Sequence, residues 1–223
     1  FSKRSQRIPK EYLPPYLGNI YKITFDGKEN INEICRQYMK DPRVEYAHPN
    51  YIHENNLIPA DSYYASAGSW GQDYDDLWGL KKINLEKSWD ITQGENVIVA
   101  VNDSGIDYHH PDIDDNIWVN SLETADNKID DDQNGFVDDY IGWDYVDKDN
   151  EPMDLNGHGT HVAGTIAAEN NGEGVIGVSP KSKVMIIRAL DEKGSGYSDK
   201  LAQGIIYAAS NGADIVNNSW GCS

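Results

Sequence analysis

Two runs of branched apolar residues stand out from an otherwise polar chain. Residues 97–101 (VIVAV) are apolar without a break, and Val184, Met185, Ile186 and Ile187 lie inside a second such stretch at residues 183–190. Neither run alternates with polar residues, which predicts strands buried on both faces, as in a parallel sheet. A third strand is expected at residues 213–217. Between the last two, Leu201, Ile205 and Ala209 recur at spacing four, so a helix is expected there, capped by Ser198 and stopped by Gly212. That order makes a βαβ unit. A helix over residues 158–168 carries Ala163, Gly164, Ala167 and Ala168, small enough to pack closely on a sheet. From Trp78 onward the pattern therefore predicts a doubly wound α/β sheet.

The pattern upstream is different. Tyr21, Ile23 and Phe25 alternate with polar residues as a strand, Ile31, Ile34, Cys35, Tyr38 and Met39 follow the helical period behind the capping pair Asn30 and Glu33, and residues 44–47 alternate again. Residues 1–56 thus form a small α+β unit of strand, helix, strand. Residues 57–78, rich in Gly, Ser, Tyr and Asp, show neither period and are expected to be a linker to the unit at 79–223.

Charge reinforces this division. The chain of 223 residues carries 19 Lys+Arg against 37 Asp+Glu, a net charge of -18. Residues 1–56 are slightly basic, so the excess of acid lies in the rest. Such a surface argues against nucleic acid or an anionic membrane as partner. No apolar run exceeds five residues, far short of the roughly 20 of a membrane-spanning helix. The two cysteines, Cys35 and Cys222, make no disulfide framework. No signal pattern follows Phe1, so any targeting segment is expected to be absent or already removed.

Three segments carry chemistry. Asp103 follows the 97–101 run, where functional side chains of open parallel sheets sit. His158, preceded by Asn156 and Gly157, opens a helix, with His161 three residues on. The third segment, residues 123–154, holds twelve Asp/Glu and two Lys. Within it DDDQNGFVD puts Asp130, Asp132, Asn134, the Phe136 carbonyl and Asp138 at positions 1, 3, 5, 7 and 9 of a calcium loop, with Gly135 at position 6. Position 12 is Ile141 rather than Glu, so the match to a helix-loop-helix site is partial. Ca2+ is the expected structural ion, and no organic cofactor is expected. A metal-dependent hydrolase using Asp103, Asp107, His109, His110, Asp154, His158 and His161 is an alternative. Against it, the i, i+3 spacing of His158 and His161, with no Glu between them, does not match the zinc helix H-E-x-x-H.

Taken together, VAVNDSGID (residues 99–107) and HGTHVAGTIAA (residues 158–168) resemble the Asp and His signatures of the subtilisin-like serine peptidases. The resemblance continues through GVSPKSKVMIIRALDEKGSG (177–196) and DIVNNSWG (214–221). The first motif departs at Asn102, where the family has an aliphatic residue. The resemblance implies a serine endopeptidase acting on polypeptides through an Asp-His-Ser triad, with Asp103 orienting His158, the general base. His161 is expected to pack. It implies substrate binding at Asn156 and at two extended segments, Gly194, Ser195, Gly196 and Ser219, Trp220, Gly221. No GTS-type serine turn occurs before Ser223, so the chain is expected to hold two of three triad members and, as written, not to hydrolyse peptides. Residues 1–56 resemble the end of an inhibitory propeptide, which implies export and processing between about Glu54 and Trp78. The competing non-enzymatic reading is a truncated calcium-binding or decoy module.

Overall fold

The computed structural model describes residues 21–24, 30–49 and 58–221. Contacts divide the chain into two compact units, Phe1–Glu54 and Asn55–Ser223. In the first, helix α1 (Ile31–Tyr38) forms as expected, its start fixed by Asn30, whose side chain accepts from Asn32 N–H and Glu33 N–H. The expected flanking strands are absent among the described residues. Tyr21 and Ile23 are exposed, and residues 44–47 form no ladder. A strand needs a partner to satisfy its backbone groups, and none is described here. Phe25, the third residue of the first expected strand, lies outside the described residues, as does Cys222.

The second unit is built on a four-stranded parallel sheet in the order β2-β3-β1-β4. Its strands are β1 (Ile98–Asp103), β2 (Gly142–Asp144), β3 (Lys183–Arg188) and β4 (Ile215–Asn217). Alternate residues of the two central strands face opposite cores. Val101, Val184 and Ile186 pack with Ala163 and Ala167 of helix α4 (His158–Ala167). Ala100, Met185 and Ile187 pack with Tyr207 and Ala208 of helix α5 (Ser198–Ser210) on the other face. Helices therefore cover both faces, and every one of these strand residues is buried, which is why the runs carry no polar alternation.

Two details differ from expectation. Ser198 is the first residue of α5, not its cap; Tyr197 precedes it in extended backbone and makes no side-chain cap. The buried face of α5 runs through Leu201, Gly204, Tyr207 and Ala208, while Ile205 is 39 % exposed and Ala209 is exposed. A spacing of four drifts around a helix of 3.6 residues per turn, and the true seam alternates threes and fours.

The segment expected as a linker packs into this unit over its described part, residues 58–78. Tyr64 joins Leu85, Trp89 and Ile176 in a small core under α2 (Trp78–Lys82) and α3 (Leu85–Trp89). Buried Asp61 accepts from the N–H groups of Asn171 and Gly172, and Asp76 accepts from Ser66, Ser69 and Gln72. These bonds stand in for the missing apolar period: a polar loop is held by carboxylates that satisfy its donors.

Candidate active site

Strand β1 ends on Asp103, fully buried, and α4 begins on His158 immediately beside it. Asp103 Oδ1 lies 2.7 Å from His158 Nδ1 and also accepts from Ser104 N–H at 2.8 Å. The imidazole side chain is 48 % exposed. With Nδ1 engaged, Nε2 is the ring nitrogen left for a reacting partner. A carboxylate bonded to Nδ1–H fixes the tautomer in which Nε2 carries the lone pair, as a general base requires.

Two small residues bring these elements together. Gly157 enters α4 with φ 99, a left-handed conformation favourable to glycine. Gly159 lies against the Gly105 carbonyl, and any Cβ there would collide with it. The junction is then tied by polar bonds. Ser104 Oγ accepts from Gly159 N–H and donates to Asp154 Oδ1, each at 2.9 Å. Asp154 also accepts from the backbone N–H groups of Asn156, Gly157 and Thr160 and from the Thr160 hydroxyl. One carboxylate thus caps α4 and fastens it to β1 on either side of the Asp103 and His158 pair. Sequence reasoning did not single out Ser104 or the capping role of Asp154, because the two are fifty residues apart and neither interrupts a periodic pattern. The spacing of an Asp four residues ahead of a helix-opening His was the available signal.

Burial pushes the Asp154 carboxyl up, but the bonds from Thr160, Gly157 and Asn156 outweigh it and leave it below the ordinary carboxylate value. The folded state then holds fewer protons at this site than the unfolded state. Its stabilisation is complete above the unfolded value of about 3.9 and is lost as pH falls through the lowered folded one. Asp154→Asn is therefore expected to lower the urea midpoint at about pH 6, with the gap to the parent closing in the acid range below about pH 4. A gap that stays constant down to acid pH would remove this role.

The expected substrate segments are each tied by a hydrogen bond to a residue near the pair in sequence. Asp191 through Gly196 form a tight turn in which Ser195 N–H donates to Asp191 Oδ1 and Ser195 C=O accepts from Asp191 N–H. These groups of Ser195 are used inside the turn, which is closed rather than an open strand. Asn156 donates its amide to Glu192 C=O at 3.1 Å and so braces this turn. In the other segment Ser219 Oγ donates to Asn217, and the Trp220 indole donates to Asn102 C=O at 2.9 Å. Gly221 follows, exposed. His161, expected to pack, is exposed on the outer face of α4.

The acidic segment gathers a different donor set from the expected one. Carboxylate oxygens of Glu123, Asp130 and Asp132 lie within 4.8 Å of one another. Glu123 is 6 % exposed, and its Oε2 has no hydrogen-bond partner among the described residues. A buried carboxylate oxygen without a donor, beside two further carboxylates, fits a hard cation with oxygen ligands such as Ca2+. Asp138 instead turns both oxygens onto the N–H groups of Asn127 and Lys128. Asn134 Oδ1 accepts from Phe136 N–H, and the Phe136 ring packs against Trp143 and Tyr207 at 4.9 and 5.0 Å. The loop is stapled to α5 by Asp139, fully buried, which accepts from the Tyr207 hydroxyl at 2.6 Å and from Asn134 and Asn120. Burial holds the Asp139 carboxyl above its ordinary value. A second pair, Asp61 and Asp112, buries on each residue one oxygen that has no hydrogen-bond partner among the described residues, near the turn at residues 171–175. Burial pushes Asp112 up, and the nearby charge of Asp61 adds to it.

The metal-hydrolase set is not assembled. Among the described residues, the one group of three carboxylate, His or Cys donors close enough to share an ion is Glu123, Asp130 and Asp132. His158 is paired with Asp103, and Asp154 is committed to the α4 cap.

Several known proteins are similar to this chain in sequence. The family model described as the subtilase family matches residues 94–223. A thermophilic serine proteinase of Bacillus sp. (strain AK1) is 38 % identical over 195 residues, covering 86 % of this chain and 41 % of the relative. Subtilisin-like protease 1 of Plasmodium vivax is 39 % identical over 175 residues, covering 76 % of this chain and 28 % of that protein. Thermitase of Thermoactinomyces vulgaris is 34 % identical over 164 residues, covering 73 % and 48 %. Among solved structures, a cold adapted subtilisin-like serine proteinase matches with a TM-score of 0.42 and 27 % identity, covering 59 % of this chain and 40 % of that one. The chain spans less than half the length of each of these proteins.

Proposed function

The chain belongs to the subtilase family, and on that premise we propose that it supplies the general base and its orienting carboxylate to a serine endopeptidase acting on polypeptides. The observation that carries the proposal is the 2.7 Å pair of buried Asp103 and half-exposed His158. A serine hydroxyl is a weak nucleophile near neutral pH. His158 Nε2 takes its proton during attack on the scissile carbonyl and returns it to the leaving amine, while Asp103 stabilises the imidazolium formed in between. The serine is the one the family carries in a later segment. The test is hydrolysis of a peptide anilide by the full-length protein. Activity abolished by a serine-directed phosphonate and retained with a zinc chelator supports the proposal; the opposite pattern overturns it. The 223-residue chain alone is expected to be inactive.

Residues 1–56 act in this reading as an inhibitory propeptide, and the protein is exported. The packing of residues 58–78 favours processing upstream of Pro59. A synthetic peptide of residues 1–56 is expected to inhibit the mature enzyme competitively. Absence of inhibition at high peptide concentration would count against that role. Calcium is held in this reading by Glu123, Asp130 and Asp132, where it neutralises a buried carboxylate and serves structure rather than the chemical step.

A further inference from the structure

A buried amide sits one residue before Asp103, at a sheet position otherwise lined by apolar side chains. Asn102 is fully buried. Its Nδ2 donates to Leu201 C=O in the first turn of α5 and to Asn218 Oδ1, both at 3.0 Å. Its own backbone carbonyl accepts the Trp220 indole N–H at 2.9 Å. One residue therefore touches the helix that begins just after Gly194, Ser195 and Gly196, and also the segment containing Ser219, Trp220 and Gly221.

Stability does not account for this choice. Asn102 Oδ1 has no hydrogen-bond partner among the described residues, and a buried polar atom left unpaired is costly where an isosteric Leu would leave none. Room for the amide is made by Gly204, in the middle of α5, where any Cβ would collide with Asn102 Oδ1. Glycine in a helix interior is itself unfavourable by about 1 kcal/mol relative to Ala. Two locally unfavourable residues are thus matched to each other, and what they obtain together is the three-way tie.

We propose that Asn102 is a positioning residue that fixes both substrate-binding walls to the strand carrying Asp103, and so sets the alignment of an extended polypeptide across the cleft. This rests on the peptidase reading above. The bonds of Asn102 go to Leu201, Asn218 and Trp220 and do not involve the Asp103 and His158 pair. Its removal should therefore misplace a long substrate without altering the proton transfer.

The test compares the full-length protein with its Asn102→Leu and Asn218→Leu variants on two substrates, an extended peptide anilide and a single-residue ester that does not reach along the walls. Both variants are expected to lose about 10- to 100-fold in kcat/KM on the extended substrate. The ester should change by less than about twofold, with the pH profile and melting temperature held. Asn218→Asp keeps an acceptor for the amide and is expected to retain the extended-substrate rate. Asn218 is exposed, so its variants report even where Asn102→Leu fails to fold. Equal losses on both substrates, or no loss on the extended one, would overturn the proposal. Absence of hydrolysis by the unsubstituted protein would instead bring down the peptidase reading, and the positioning role with it.

Discussion

Asp103→Asn in the full-length protein is expected to lower kcat by about four orders of magnitude while leaving the fold intact. The reason lies in the two oxygens of this carboxylate. Oδ1 receives both His158 Nδ1 and Ser104 N–H, whereas Oδ2 is buried with no hydrogen-bond partner among the described residues. An amide that keeps its oxygen at the Oδ1 position buries an unpaired NH2 group and leaves the imidazolium without a counter-charge. The flipped amide aims NH2 at Nδ1 and drives the ring proton to Nε2, where the lone pair is needed. The first orientation leaves the base without its counter-charge, and the second removes its lone pair. The measurement is kcat on a peptide anilide with circular dichroism as the control for folding. A rate within tenfold of the parent would exclude Asp103 from the triad.

The second large effect concerns calcium. Binding at a hundredfold excess over Kd stabilises by about 2.7 kcal/mol, which for a unit of this size corresponds to a rise in Tm of roughly 5–10 °C. Excess Ca2+ over chelator is therefore expected to raise the melting temperature by that order. Glu123→Gln should remove a large part of the rise, because it discharges the buried carboxylate whose Oε2 lacks a donor. Asp138→Asn should remove little of it, since both Asp138 oxygens already cap a turn. A melting temperature indifferent to Ca2+ would sink the assignment, and a loss from Asp138→Asn but not from Glu123→Gln would return the ligand set to the one expected from spacing.

These contrasts show what a linear sequence can carry. Strands β1 and β3 were legible because burial on both faces leaves a continuous apolar run, and the residues of the Asp103 and His158 pair were legible because each sits in a dense local motif. Strand β2 was not, being a three-residue edge strand within an acidic segment that starts on Gly142, whose φ of 136 only glycine adopts readily. The acidic cluster was half legible. Spacing identifies Asp130 and Asp132, but Glu123 enters from outside the loop through tertiary folding. The same limit hid the bonds of Ser104 to Asp154 and of Asn102 to Asn218, which join residues far apart in sequence. The departure of the first motif at Asn102 was visible as a mismatch, and its partners Gly204 and Asn218 became apparent only in three dimensions.

If the chain serves a peptidase as proposed, the stapling of the acidic loop has a consequence for how long the molecule survives in its own company. A peptidase is surrounded by copies of itself, and cleavage requires a stretch of chain that opens far enough to enter another molecule's cleft. That step depends on local opening, whose free energy is commonly far below that of unfolding the whole domain. The loop is exposed along much of its length, yet Phe136 is anchored among aromatic rings and Asp139 is bonded to Tyr207 of α5. Peeling the loop away therefore means breaking contacts with the sheet's own covering helix. On the proposed peptidase and calcium readings, self-digestion at this place would be governed by the grip of α5 and by an ion held at Glu123, Asp130 and Asp132, so working lifetime in a concentrated solution would follow free calcium more steeply than the peptidase rate does.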